Sequence, residues 1–318
     1  MKLKALLTVL GLIAAPLAAA AQGYPSGPVK VIVGFGPGSS GDVVARLISE
    51  ELTKSLGQPF VVDNVPGAGA TIAMKALADA KPDGHTLMFA SSSYSAAPFL
   101  FKQLPYDPYA DFTPVVSITN VPLVVAVDSK LPINSVEDLR AYAKDNPGPM
   151  PYAFGNTVGR LLGADFMKRV ELEAIPISFN SVPQASVDVI GGRIPLLFTD
   201  LGGIQPMLEA GDLRAIAVAT PERAARIPDA QTYQEAGLGE FGLVAWGGLI
   251  GPAGMDPATV KLLGDAVIAS FQSPVLQERF AQMGTDFLEV RGDEFKQYLD
   301  RQFELWKTMV AEAGIEAQ

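Results

Sequence analysis

From Val29 onward, short β-branched runs alternate with segments of helical pattern, and this rhythm limits the folds open to the chain. Val29-Lys30-Val31-Ile32-Val33 reads as a buried strand. Asp42 to Leu56 follows as a helix, with Val43, Leu47, Ile48, Leu52 and Leu56 on one face and Gly57 as its stop. Pro59 to Asp63 is a second strand, Ala68 to Ala80 an Ala-rich helix, and His85 to Ala90 a third strand. A β-α-β-α-β order implies a parallel sheet with right-handed crossovers. Ligands in such sheets sit beyond the carboxyl ends of the strands.

The middle of the chain repeats the pattern. Strands are expected at Pro122–Val127, Met150–Phe154, Ala174–Ser178, Arg193–Thr199 and Leu213–Ala219. Helices are expected at Ser135–Asp145, Thr157–Arg169, Pro183–Ile190 and Gly203–Ala210. After Gly242–Ile250 come three helical stretches, Pro257–Gln272, Pro274–Met283 and Asp293–Ala313. Extended segments near 112–127 and 240–250 look like crossings between two lobes. The expected class is therefore α/β, with two lobes, each a mostly parallel sheet flanked by helices, and a cleft between them. Lobe 1 is expected to comprise 22–122 and 246–318, and lobe 2 123–245.

Residues 1–21 form a leader. Lys2 and Lys4 supply a positive start, Ala5 to Ala15 an apolar run, and Ala19-Ala20-Ala21 a small-residue cleavage site. Cleavage is expected after Ala21, with export to the periplasm. Losing Lys2 and Lys4 takes the net charge from −10 to −12. Such acidity argues against a nucleic-acid partner, whose affinity comes largely from Lys and Arg on phosphates. The 318 residues include no cysteine and one histidine, His85. Disulfides, Cys-based metal sites, thiol nucleophiles and His-rich metal sites are thereby excluded. His85 begins the strand that ends near Ser91–Ser93, about 20 Å away at normal strand rise. It reads as a structural histidine, and no G-x-S-x-G elbow is present.

Gly36-Pro37-Gly38-Ser39-Ser40-Gly41 matches G-x-G-x-x-G between a strand and a helix, and Asp63 lies where a ribose-binding acid would. Export away from free nucleotides and Pro37, which removes a backbone donor, weigh against a dinucleotide site. A Gly/Ser turn at a helix N-terminus also binds simpler anions, or serves as an ordinary capped turn. Asp42 either caps that turn or meets a donor on a ligand. Ser91-Ser92-Ser93-Tyr94, Gly155-Asn156-Thr157 and Asp200 are further candidates at strand ends. Asp200 could equally cap the helix that follows. Arg160, one turn into its helix, could pair with an anion or lie in solvent.

The motifs resemble one family along nearly the whole mature chain: the Bug family, solute-binding receptors of tripartite tricarboxylate transporters. They include Tyr24-Pro25, Phe35-x-Pro37-Gly38, Asp63-Asn64-x-Pro66-Gly67-Ala68-Gly69 and Lys81-Pro82-Asp83-Gly84-His85. Others are Leu104-Pro105-Tyr106-Asp107-Pro108, Gly211-Asp212-Leu213-Arg214-Ala215, Trp246-x-Gly248-Leu249 and Ala313-Gly314-Ile315. The resemblance implies a periplasmic-binding-protein (Venus-flytrap) fold, closure on a small carboxylate, and delivery to membrane subunits of the transporter or to a sensor. It implies a monomer with no cofactor and no metal, and no enzyme activity. The rival reading is an exported oxidoreductase or hydrolase using Gly36–Gly41 as an anion or dinucleotide site. Ser39-Ser40 stand where paired glycines are usual, Arg160 where a histidine is common, and Phe179-Asn180-Ser181 for the usual Tyr-Lys-Gly. Citrate is therefore not implied as the ligand. The expected binding residues are Phe35, Gly38, Ser39, Ser40, Asp42, Ser91, Ser92, Gly155, Asn156, Thr157, Arg160, Phe179 and Asp200.

Overall fold

The computed structural model describes residues 23–317. The leader 1–21 and its cleavage site lie outside the described residues. The chain opens with β1 (Val29–Val33), α1 (Ser40–Leu56), β2 (Phe60–Asn64), α2 (Thr71–Ala78), β3 (Thr86–Ser91) and α3 (Ser92–Leu100). Then come β4 (Phe112–Val121), β5 (Leu123–Asp128), α4 (Val136–Asp145), β6 (Met150–Phe154), α5 (Thr157–Arg169) and β7 (Ala174–Ser178). They lead to α6 (Val182–Ile190), β8 (Leu196–Asp200), α7 (Gln205–Glu209), β9 (Leu213–Val218) and β10 (Gln231–Thr232). The chain ends with β11 (Ala245–Pro252), α8 (Pro257–Ser270), α9 (Pro274–Gln282), β12 (Asp286–Arg291) and α10 (Gly292–Glu312).

Two six-stranded sheets organise these elements, ordered β12-β4-β11-β3-β1-β2 in lobe 1 and β10-β9-β5-β8-β6-β7 in lobe 2. Parallel pairing joins β2, β1 and β3 in one sheet and β7, β6 and β8 in the other. Strands β11 and β5, which adjoin the crossings between lobes, run antiparallel to their neighbours, so each sheet is mixed. The first crossing takes a single residue, Pro122, between β4 and β5. Proline has no N–H for a ladder, but its carbonyl accepts from Leu201 N at 2.8 Å. Each sheet buries both faces. Val31, Val44, Ile48 and Leu263 fill one side of the first sheet, and Ile32, Met74, Trp246 and Phe295 the other.

Several elements differ from the sequence reading. Helix α1 starts at Ser40, and its buried stripe runs through Val44, Ile48 and Leu52, with Val43, Leu47 and Leu56 only half-buried at its margin. The stretch from Ala68 breaks because Ala68, Gly69 and Ala70 are left-handed, and α2 begins only at Thr71. Ser91–Tyr94 is not a loop. Ser91 caps α3, which runs through Pro98 because Tyr94, Ala96, Ala97 and Leu100 bury their side chains, an instance of packing overriding propensity. Strand β12 carries Asp286, Glu289 and Arg291 at a sheet edge, where charge blunts further pairing and hides the strand pattern.

Residues 246–318 are expected in lobe 1, yet the side chains of α10 reach both lobes. Phe295, Leu299 and Phe303 enter the lobe 1 core, whereas Trp306, Met309 and Val310 join the lobe 2 core with Phe166 and Phe198. At 1.5 Å per residue the helix is roughly 30 Å long, enough to bridge the two. Lys168 Nζ donates to the Glu312 carbonyl at 2.6 Å near its end. Trp306 is fully buried. Trp306→Ala should therefore cost about 3–5 kcal/mol of stability, as large aromatic truncations in cores do. Denaturant unfolding with a loss under about 1 kcal/mol would show that the helix end does not depend on this anchor.

Candidate functional site

The carboxyl ends of six strands converge where the lobes meet. Phe35 follows β1, Gly67–Ala70 follow β2, Ser91 ends β3, Gly155–Thr157 follow β6, Phe179 follows β7, and Asp200 ends β8. All of them line two adjoining cavities, of about 60 and about 330 Å³, which share Phe35, Asn156 and Thr157. The N-termini of α1, α3 and α5 end here as well. Each such end carries unpaired N–H groups and roughly half a positive charge. In a chain of net charge −10, that is local positive potential.

The smaller cavity exposes mostly apolar surface, because the polar groups in its wall are largely paired with one another. Ser39 Oγ donates to the Gly36 carbonyl at 2.9 Å. Ser92 Oγ accepts from Trp246 N at 3.1 Å. Ser91 and Ser93 share a hydroxyl contact of 3.1 Å. Thr157 of lobe 2 donates to Ser93 Oγ of lobe 1, also at 3.1 Å. Asn156 Oδ1 caps α5 through Gly159 N at 2.9 Å, while its Nδ2 donates to Asp200 Oδ2 at 2.7 Å. Asp200 also accepts from Gly203 N at 3.0 Å and faces the Ser40 hydroxyl. It caps the turn after β8 and lines the cavity at once. Burial pushes its carboxyl above the ordinary range, and these donors only partly offset that effect.

The larger cavity presents polar and apolar surface in about equal measure. Phe35, Leu100, Phe101, Phe154 and Phe179 line it, and among the described residues Arg160 is its only charged one. Arg160 is half-buried, and burial pushes its guanidinium below its ordinary value. Among the described residues no carboxylate lies within 4 Å of it. On one wall Ala68 and Ala70 hold φ of 45° and 75°, which costs non-glycine residues of order 1–3 kcal/mol each. Ala70 is pressed against Gly34, where a Cβ would approach Ala70 Cβ to 2.4 Å. Sequence reasoning left this Gly67–Ala70 wall out of the site. Its signal was a Gly-rich turn after the second strand, the same rule that picked out the first loop.

Two of the expected residues do not line either cavity. Gly38 is exposed and left-handed at φ 80°, with the Pro183 ring 3.5 Å from where its Cβ would lie. It faces lobe 2 across the closed seam. Asp42 turns inward as a local cap, accepting from Gly38 N at 2.9 Å and Asn64 Nδ2 at 2.9 Å, with Arg46 at 2.9 Å. Burial alone would raise its carboxyl, but Arg46, Gly38 and Asn64 together hold it below the ordinary value. His85 lies away from the cavities, with Nε2 3.2 Å from Ser26 Oγ and its ring edge-on to Tyr24. Asp63 pairs with Lys30 at 3.3 Å. The first loop packs on the other lobe, a Cβ at Gly36 approaching Ser181 Cβ to 3.1 Å.

The raised Asp200 carboxyl has a measurable consequence. It binds its proton more tightly in the folded state than in the unfolded one. Folded stability should therefore fall as pH rises from the unfolded value, about 3.9, through the raised folded value, and level off above it. Asp200→Asn lacks this titration. In paired thermal melts the variant should gain on the parent across that window and hold a constant difference above it. A difference that never changes with pH would place the Asp200 carboxyl in its ordinary range.

Comparison with known proteins fits this geometry. Protein BugT of Bordetella pertussis is 33% identical over 325 residues, covering 99% of both chains. The solved structure of the periplasmic binding protein BugD matches with a TM-score of 0.88 at 28% identity, over 93% of this chain and 100% of that one. An R. palustris protein solved with adipate matches at a TM-score of 0.89 and 28% identity, over 93% and 100%. The model of the tripartite tricarboxylate transporter family receptor matches residues 44–315. With two lobes, a closed seam and this match along most of its length, the chain belongs to the tripartite tricarboxylate transporter receptor family.

Proposed function

We propose that the protein captures a small carboxylated organic solute between its lobes in the periplasm and presents it to the membrane subunits of a tripartite tricarboxylate-type transporter. The observation that carries this reading is Arg160: a half-buried guanidinium without a carboxylate partner among the described residues, in a cavity walled by both lobes. A half-buried cation of this kind favours an anionic partner, and Arg meets a carboxylate through two parallel hydrogen bonds. Helix N-termini of α3 and α5 add to the attraction. The adipate-bound relative supports the carboxylate class. The role is binding rather than catalysis. The cavity beside the first loop holds only about 60 Å³, too little for a dinucleotide. Lobe 1 is taken as 22–122 and 246–318, with α10 reaching across, and lobe 2 as 123–245.

A thermal-shift panel of mono-, di- and tricarboxylates with NAD as comparator tests the reading. A carboxylate at 100 times its Kd should add about 2.7 kcal/mol of stability. The same carboxylate should reduce the radius of gyration in solution scattering as open molecules close. Stabilisation by NAD and by no carboxylate would replace this reading with the enzyme alternative.

A further inference from the structure

Resting on that reading, we infer that the solute is an aromatic monocarboxylate, its carboxylate on Arg160 and its ring among Phe35, Phe101, Phe154 and Phe179. Four phenylalanines line a single cavity of about 330 Å³, at the lower end of small-molecule sites. They come from different parts of the fold. Phe35 packs against the lobe 1 core and Phe179 against the lobe 2 core, so closure brings two separately supported rings onto one ligand. Phe35, Phe101 and Phe179 stack on no other protein ring among the described residues, whereas Phe154 leans on Tyr152 at 6.1 Å. An aromatic guest supplies the edge-to-face and offset contacts these rings lack.

The charge inventory sets the number of carboxylates. Among the described residues, Arg160 is the only charged one lining the larger cavity. A second carboxylate reaching past Asn156 and Thr157 would enter the smaller cavity. There the serine and threonine hydroxyls already serve one another, and buried Asp200 stands in the wall. Ionised, Asp200 repels a second carboxylate at close range. One cation beside four phenylalanine rings suits one carboxylate on an aromatic ring.

Titration calorimetry on the mature chain separates the possibilities with four probes: benzoate, benzamide, cyclohexanecarboxylate and adipate. Benzoate should bind about tenfold more tightly than cyclohexanecarboxylate, the size-matched ring without π faces. It should exceed benzamide, which lacks the charge, by about a hundredfold or more. Arg160→Met should weaken benzoate by about a hundredfold, with an unchanged far-ultraviolet spectrum certifying the fold. Phe179→Leu should bring benzoate and cyclohexanecarboxylate within about threefold of each other. Adipate binding more tightly than benzoate would overturn the aromatic inference and leave carboxylate capture standing. Benzoate binding that survives Arg160→Met would overturn the assignment of the anchor. Binding by none of the three carboxylates would overturn the aromatic inference, and stabilisation by no member of the wider carboxylate panel would overturn the capture reading itself.

Discussion

Three helix N-termini meet at one point, and the site is organised around that crowding. Helices α1, α3 and α5 all begin at the seam between the lobes. Like ends of helix dipoles repel, and the cost grows as water is excluded. The seam offsets this with oxygen. Thr157 and Ser93 join α5 to α3 directly, and the Asp200 carboxyl stands beside Ser40 at the start of α1. Asp42 adds a carboxylate in the first turn of the same helix. Positive helix ends and carboxyl oxygens are thus set against one another at the cleft of a chain whose net charge is −10.

The two cavities differ in how their polar groups are used. In the smaller one, Thr157 and Ser93 join hydroxyls across the seam, which registers the two lobes against each other, while the Asn156 amide pairs with Asp200 within lobe 2. In the larger one, a single guanidinium is left over among phenylalanines. A half-buried guanidinium without a carboxylate partner carries a desolvation cost. A solute that supplies the missing charge therefore stabilises the closed form more than the open one, in which Arg160 would be hydrated. In the proposed capture, that difference in affinity is what drives closure.

Much of this arrangement was legible in the sequence. Met150–Phe154, Thr157–Arg169 and Ala174–Ser178 lie where periodicity and capping placed them, because Asn156 and the buried apolar positions speak through local pattern. Eleven of the thirteen residues expected at the site line the cavities, since strand carboxyl ends converge by topology. What pattern could not convey was partner choice. Asp42 and Asp200 look alike in sequence, yet one is consumed by Arg46 and Asn64 and the other is buried in the seam. Strand β12 was hidden by its edge charges. Helix α3 was hidden by serines and Pro98, which propensity counts against a helix that tertiary burial sustains.

The bridging position of α10 bears on how far the cleft can gape. The strand crossings form a narrow hinge, with Pro122 alone between β4 and β5. Such a hinge by itself would permit a wide swing. A stiff rod with Phe303 seated in one body and Trp306 in the other acts as a stay across that joint. Swinging the bodies apart must either bend the rod within the turn between those two side chains or draw an indole out of its socket. The first strains backbone hydrogen bonds and the second exposes a large aromatic surface. Both act as a restoring spring whose stiffness is set far from the cleft mouth.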